Sequence, residues 1–232
     1  QLIVFAKPLY ENVIDSRRSE VNRLLAEAYY RTDDFQNAIT HFEEFVKLEK
    51  QISSLVYFLL GHSHFKLDNY EYAISNLEQV LNAPDSVMQY SFYYLGASYL
   101  ALEQYNYALP AFKKSATYNY NTFLQEDAYY NYAKLSYQLD LPFENSIQIL
   151  TNYLEAYRDH HNEEEIKLLL AKTLQATNQY HQAYSALKEI DSTNIEQQKL
   201  LQQLAFFLGV KRFNQGNFKE AIQYFNNSSK LP

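Results

Sequence analysis

Apolar residues recur three and four apart along almost the whole chain, the spacing that gathers side chains on one face of a helix. The clearest stretch is Leu95-Gly96-Ala97-Ser98-Tyr99, followed by Tyr105, Ala108 and Phe112. Small and bulky residues alternate there, and Gly96 and Ala108 mark the expected close approach of two paired helices. Moved back by 35, the same template meets Leu60-Gly61, Tyr70, Ala73 and Leu77; moved back again, it meets Leu25-Ala26, Tyr29, Phe35, Ala38 and Phe42. Repetition is the first property of this chain.

A small residue opens the second helix of each predicted pair: Ala6, Ala38, Ala73, Ala108, Ser146, Ala183 and Ala221, at spacings of 32, 35, 35, 38, 37 and 38. Four positions beyond each stands a bulky apolar residue: Tyr10, Phe42, Leu77, Phe112, Leu150, Leu187 and Phe225. Another small residue precedes each of the last six rungs by 12 or 13: Ala26, Gly61, Gly96, Ala133, Ala171 and Gly209. An aromatic precedes the same six by three: Phe35, Tyr70, Tyr105, Phe143, Tyr180 and Phe218. Small residues let two helices approach, and the aromatic fills the space where they diverge. Short polar turns such as Thr32-Asp33-Asp34, Leu67-Asp68-Asn69 and Gln215-Gly216-Asn217 predict antiparallel helix hairpins. The fourth turn, Asp140-Leu141-Pro142, is one residue longer.

Between pairs, Asn82-Ala83-Pro84-Asp85, Asn119-Tyr120-Asn121, Asp159-His160-His161-Asn162 and Asp191-Ser192-Thr193-Asn194 end one helix and cap the next. Asn162 ahead of three glutamates is the stronger expected N-cap, Asn194 ahead of Glu196 the weaker. Pro8 and Pro110 each fall two residues past a rung. Either the helix bends there, or it starts late, near Ala6 and Ala108.

Composition narrows the class. With 47% apolar and 16% aromatic residues in 232, a sizeable core is available, and only 4 Gly and 5 Pro disfavour a turn-rich β protein. The net charge of −7 argues against a nucleic-acid footprint. There are no cysteines, so no disulfide, thiolate metal site or cysteine nucleophile exists. The opening apolar run Leu2–Ala6 is too short for a signal core or a membrane span, and no direct membrane insertion is expected. A chain opening with Gln1 in mid-repeat reads as a processed or trimmed piece of a longer array.

The small–aromatic–small–aromatic order resembles the tetratricopeptide repeat. That resemblance implies an all-α, right-handed α-α superhelix built as one continuous domain. By the same resemblance residues 1–16 are expected to be the second helix of a truncated repeat, through Ile3, Ala6, Tyr10 and Val13. Six repeats follow, at 19–52, 54–87, 89–122, 126–160, 164–195 and 202–232. Departures are His64, Ser136, Leu174 and Arg212 at the first-helix aromatic position and Ser146 for alanine.

Residues with possible chemistry read mostly as structure. His62 and His64, two apart, point about 200° apart on a helix and cannot share a metal. His64 reads as a packed, hydrogen-bonded core histidine. His160 and His161, beside Asp159 and Glu163, could form a weak metal site, but solvated loop residues are the preferred reading. Glu43-Glu44 and Glu163-Glu164-Glu165 fit exposed faces. No phosphate loop, HExxH, nucleophile elbow or EF-hand loop is present, so no enzyme, no cofactor and no metal is expected.

What remains is surface. The resemblance implies that first helices line a concave groove, made here by Arg23, Glu27, Tyr30, Phe58, His62, Phe65, Tyr90, Tyr93, Tyr94, Tyr130, Asn131, Lys134, Tyr137, Lys172, Phe206, Val210 and Phe213. Tyrosines add contact area at small entropic cost, which suits a protein or peptide partner, although packing between repeats would equally occupy the Tyr90, Tyr93, Tyr94, Tyr130 and Tyr137 rings. The carboxylate clamp of chaperone-binding members is not reproduced by Arg23 and Glu27 or by Phe58 and His62. The expected function is an interaction scaffold. Its sharper form is a bacterial envelope scaffold, by likeness of the Tyr-, Asn- and Gln-rich repeats to outer-membrane assembly and Tol–Pal-associated proteins. The alternative is a peptide- or ligand-sensing domain controlling an output domain elsewhere.

Overall fold

The structure is a computed structural model and describes residues 15–139, 142–158, 160–188 and 194–231. Expectations for Pro8, Ala6 and Tyr10, and for Asp140, Leu141, Asp159 and Asp191–Thr193, lie outside those residues. Among the described residues there are twelve helices and no strand. They are α1 Asp15–Tyr30, α2 Phe35–Leu48, α3 Ser54–Lys66, α4 Tyr70–Leu77, α5 Asp85–Ala101, α6 Tyr105–Ser115, α7 Thr122–Gln138, α8 Phe143–Ala156, α9 Glu163–Ala176, α10 Tyr180–Lys188, α11 Ile195–Asn214 and α12 Phe218–Ser228.

Five of the hairpin turns share one construction. Asp33, Asp68, Glu103 and Asn178 lie at φ of 57°, 58°, 57° and 61°, and Gly216 at 77°. The following residue folds its N–H back onto the first helix: Asp34 to the Tyr29 carbonyl, Asn69 to His64, Gln104 to Tyr99, Gln179 to Leu174 and Asn217 to Arg212. This is the six-to-one bond of a Schellman end. That same residue then starts the second helix, its carbonyl accepting from the N–H of Ala38, Ala73, Ala108, Ala183 or Ala221. One residue ends a helix and begins the next, so each rung of the ladder makes the first bond of its helix.

The ladder is the core of each pair. Ala26, Ala133 and Ala171 and the rungs Ala38, Ala73, Ala108 and Ala183 are wholly buried. Phe42, Leu77, Phe112, Leu150 and Leu187 are buried opposite them. The glycines show why the first small residue is needed. A Cβ on Gly61 would lie 2.7 Å from Leu77 Cγ and 3.2 Å from the Ala73 carbonyl oxygen; one on Gly96 would lie 3.0 Å from the Phe112 ring. Close approach is therefore between the first-helix glycine and the bulky residue four past the rung. In the fourth pair Ser146 Oγ donates to the Ser136 carbonyl at 2.8 Å, which satisfies a buried hydroxyl where the other rungs carry alanine.

Two local expectations are corrected, and the alternatives at Pro110 are narrowed. Helix α6 begins at Tyr105, not near Ala108, and carries Pro110 inside it. Pro110 and Asn106, whose carbonyl loses its N–H partner, are both exposed, so the proline sits on the solvent side. Asn162 starts α9 with helical dihedrals and no side-chain cap bond, whereas Asn194 accepts from the N–H groups of Glu196 and Gln197. His64 is packed, but its Nδ1 has no hydrogen-bond partner.

By internal contact the chain divides into two compact units, 1–132 and 133–232, with the boundary inside α7. In the first, Leu25, Ala26 and Tyr29 of α1 join Ala38, Ile39, Phe42 and Phe45 of α2 and Val56 and Leu60 of α3 in one apolar cluster. Gln89 of α5 is fully buried and ties down the next loop: its Nε2 donates to the carbonyls of Tyr118 and Asn121, and its Oε1 accepts from the Asn121 N–H. In the second unit Leu150 and Tyr153 of α8, Ile166, Leu170 and Leu174 of α9, Leu187 of α10 and Leu200, Leu204 and Leu208 of α11 are buried.

Candidate interaction face on the first helices

Most of the predicted groove residues stand three before, one after or four after the small residue of each first helix, while Tyr90 stands six before it and Tyr94 and Asn131 two before it. In the first unit those registers build a run of rings across α1, α3 and α5. The Tyr30 hydroxyl lies 2.7 Å from His62 Nδ1. The His62 ring meets Tyr94 at 4.4 Å and stacks on Phe58 at 5.9 Å, while Phe65 meets Tyr94 at 4.9 Å and Phe58 meets Tyr90 at 6.4 Å. Asn121 Nδ2 donates to the Tyr90 hydroxyl at 2.8 Å.

Tyr30, Phe58, Phe65, Tyr90 and Tyr94 keep part of their surface open, but His62 is only 8% exposed. Its place in the predicted groove is corrected: it is the buried hub beneath the rings, because Tyr30, Phe58 and Tyr94 close over it. Burial, with the Lys66 charge adding to it and Asp33 opposing, holds the His62 pKa down at about 4. Burial raises the Tyr30 hydroxyl to about 12 and also raises Tyr94. At neutral pH the hub is an uncharged imidazole among protonated phenols.

Tyr93 belongs to a second group. Its ring meets Phe112 edge-on at 5.8 Å and its hydroxyl donates to Asp127 Oδ2 at 2.5 Å. Asn131 Nδ2 donates to the same carboxylate at 3.1 Å. Burial and then the Asp127 hydrogen bond push the Tyr93 hydroxyl pKa up. Tyr93 thus packs between α5, α6 and α7, and Asn131 helps to hold Asp127. Arg23 and Glu27 form an ion pair along one helix at 2.6 Å. Tyr130 is half-buried.

In the second unit Lys134 pairs with Glu165 at 3.0 Å and Lys172 with Glu196 at 2.7 Å, while Tyr137 is half-buried. On α11 the same registers are open: Phe206 is 52%, Val210 36% and Phe213 54% exposed. In α3 the last of these registers is covered from the next first helix, where Tyr94 meets Phe65 at 4.9 Å. Asp127 and Phe207 were missed in the sequence although they stand six and two before their small residues, the registers of Tyr90 and Tyr94, so comparison with α5 was the signal that could have found them.

His160 and His161 are exposed. Among the described residues no group of three or more His, Asp or Glu side chains could hold a metal ion, and no helix is long and apolar enough to cross a membrane.

The helix pairs and their ladder define an all-α helical-repeat solenoid. Solved structures of tetratricopeptide-repeat proteins share the fold. YrrB, described as a tetratricopeptide-repeat protein with an unusual peptide-binding site, superposes with a TM-score of 0.59 at 17% identity, over 79% of this chain and 88% of that one. MamA of AMB-1 gives 0.52 at 16% identity, over 76% and 90%. The C-terminal part of a repeat protein of this class from Cytophaga hutchinsonii gives 0.52 at 15%, over 88% and 77%. A family model described as anaphase-promoting complex, cyclosome, subunit 3 matches residues 4–80. No curated protein matches the chain.

Proposed function

We propose that this chain is a protein-interaction scaffold that captures an extended peptide or a helix of a partner on the aromatic face of α1, α3 and α5. The observation that carries the reading is the run of half-open rings from Tyr30 and Phe65 through Tyr94 to Tyr90 over the buried His62. Rings braced from below offer apolar area that loses little further freedom on binding. The peptide-binding description of YrrB, a protein of the same fold, agrees with this use. Tyr90→Ala tests it: partner affinity is expected to fall about tenfold, on the order of 1.4 kcal/mol, while loss of the Phe58 and Tyr94 contacts and the Asn121 hydrogen bond lowers the unfolding midpoint modestly and leaves the chain folded at the assay temperature. Equal affinity for both forms would remove this face from the binding surface.

We further place the scaffold in a bacterial cell envelope, on the likeness of its Tyr-, Asn- and Gln-rich repeats to envelope assembly proteins. Fractionation of native cells checks this, and recovery of the intact protein solely with the cytoplasm would overturn it.

A further inference from the structure

The register four past the small residue is occupied by Tyr30 in α1, Phe65 in α3, Leu100 in α5 and Tyr137 in α7, but by Gln175 in α9. Where that residue is aromatic its ring fills the space toward the following first helix, as Phe65 does against Tyr94 at 4.9 Å. At Gln175 the same space is open. A cleft of about 440 Å³ lies there, lined by Gln175, Gln202, Gln203, Phe206, Phe207 and Ser228, all in the second unit.

The walls are built, not merely exposed. Phe206 and Phe207 meet at 6.4 Å and 64° and form a corner. Each is braced from behind, Phe206 by Phe225 at 5.9 Å and Phe207 by a stack on Tyr180 at 5.5 Å. Yet they remain 52% and 46% exposed in front. No lining residue is charged. Among the described residues the side-chain amides of Gln175, Gln202 and Gln203 have no hydrogen-bond partner, so each offers two donors and an acceptor at the rim.

We propose that this cleft receives an aromatic side chain of an uncharged, extended peptide segment of a partner. The ring seats in the Phe206–Phe207 corner, where Phe65 sits in its own seam. The glutamine amides hold the flanking peptide backbone. The occupant is an aromatic because the chain itself fills the equivalent space with a ring in α1 and α3, where Tyr30 meets His62 and Phe65 meets Tyr94. It is uncharged because the lining offers no counter-charge, and a buried lone charge is costly. The cleft is separate from the face over His62 and does not depend on it.

The probe is N-acetyl-phenylalaninamide, titrated into the whole chain and followed by NMR, with the lysine and glutamate analogues as controls. Saturable binding of the phenylalanine probe is expected, with shifts centred on Phe206 and Phe207, and at least tenfold weaker binding of both controls. Gln175→Phe supplies the missing ring from within and is expected to raise the melting temperature and to weaken probe binding at least tenfold. Gln175→Leu repeats the test with a smaller side chain should the phenylalanine prove too large to fold. Tyr90→Ala is expected to leave probe binding unchanged, so failure of the other face is distinguishable from failure here. Absence of saturable binding, shifts centred elsewhere, equal binding of the lysine probe, or retained affinity in the filled variants would each overturn the proposal.

Discussion

Gly96→Leu puts the packing of the ladder at risk in its best-defined pair. A Cβ alone at this position would stand 3.0 Å from Cδ1 and Cγ and 3.1 Å from Cδ2 of Phe112, where ordinary contact begins at 3.4 Å. Phe112 is 1% exposed and is met on its edge by Tyr93, so the ring has nowhere to swing. Leucine adds three more carbons in the same direction. Overpacking of that kind costs roughly 1–3 kcal/mol and occasionally more, while replacing a mid-helix glycine returns about 0.8 kcal/mol of helix propensity. The net loss is about 1–2 kcal/mol, a fall in melting temperature of roughly 2–8 °C for a chain of this size. Circular dichroism during heating and urea titration reads both. Gly96→Leu combined with Phe112→Ala should lose about 2 kcal/mol less than the sum of the single changes, since removing the ring removes the clash. Wild-type unfolding of Gly96→Leu, or strict additivity in the pair, would refute the close-contact role.

Three further outcomes follow from the geometry. Glu103→Gly relieves a left-handed glutamate at φ 57° on an exposed turn and should stabilise by about 1 kcal/mol, read as a higher urea midpoint. Gln89→Leu strands two carbonyls and one N–H of the loop it holds; a loss of about 3 kcal/mol is expected, with faster amide exchange first at Tyr118 and Asn121. The His62 pKa is about 4 in the fold against about 6.5 unfolded. The unfolded chain therefore binds the extra proton, and stability present above pH 6.5 is lost as pH falls toward 4. This amounts to about 2 kcal/mol between pH 7 and 4.5, and His62→Gln should flatten that part of the denaturation profile relative to the native chain.

The helix pairs were legible because their core is written in residue size at a fixed period, and size is what a close helix contact selects. Ala38, Ala73 and Ala108 could be placed without coordinates for that reason. The turns were legible as turns but not as left-handed residues, since Asp33, Asp68 and Glu103 stand where glycine would have been the usual signal. The start of α6 was left open between a late start and a bend at Pro110; the Gln104 turn sets it, and the exposure of Pro110 shows how the proline is tolerated. The interaction face was legible as a set of registers, but not its division of labour. One-dimensional spacing cannot distinguish a ring that faces outward from one, such as His62 or Tyr93, that the next first helix covers. Gln175 became informative only when the cleft beside it was compared with the space that Phe65 fills.

The central claim, that the open rings of the first-helix face bind a partner peptide, is tested most directly by one affinity measurement. A peptide selected on the intact chain from a random library is titrated by calorimetry into the native protein and into Tyr90→Ala, with thermal unfolding followed on the same samples. About tenfold weaker binding by Tyr90→Ala is expected, with the variant folded at the assay temperature. Equal affinity for the two proteins, with both folded, would contradict it.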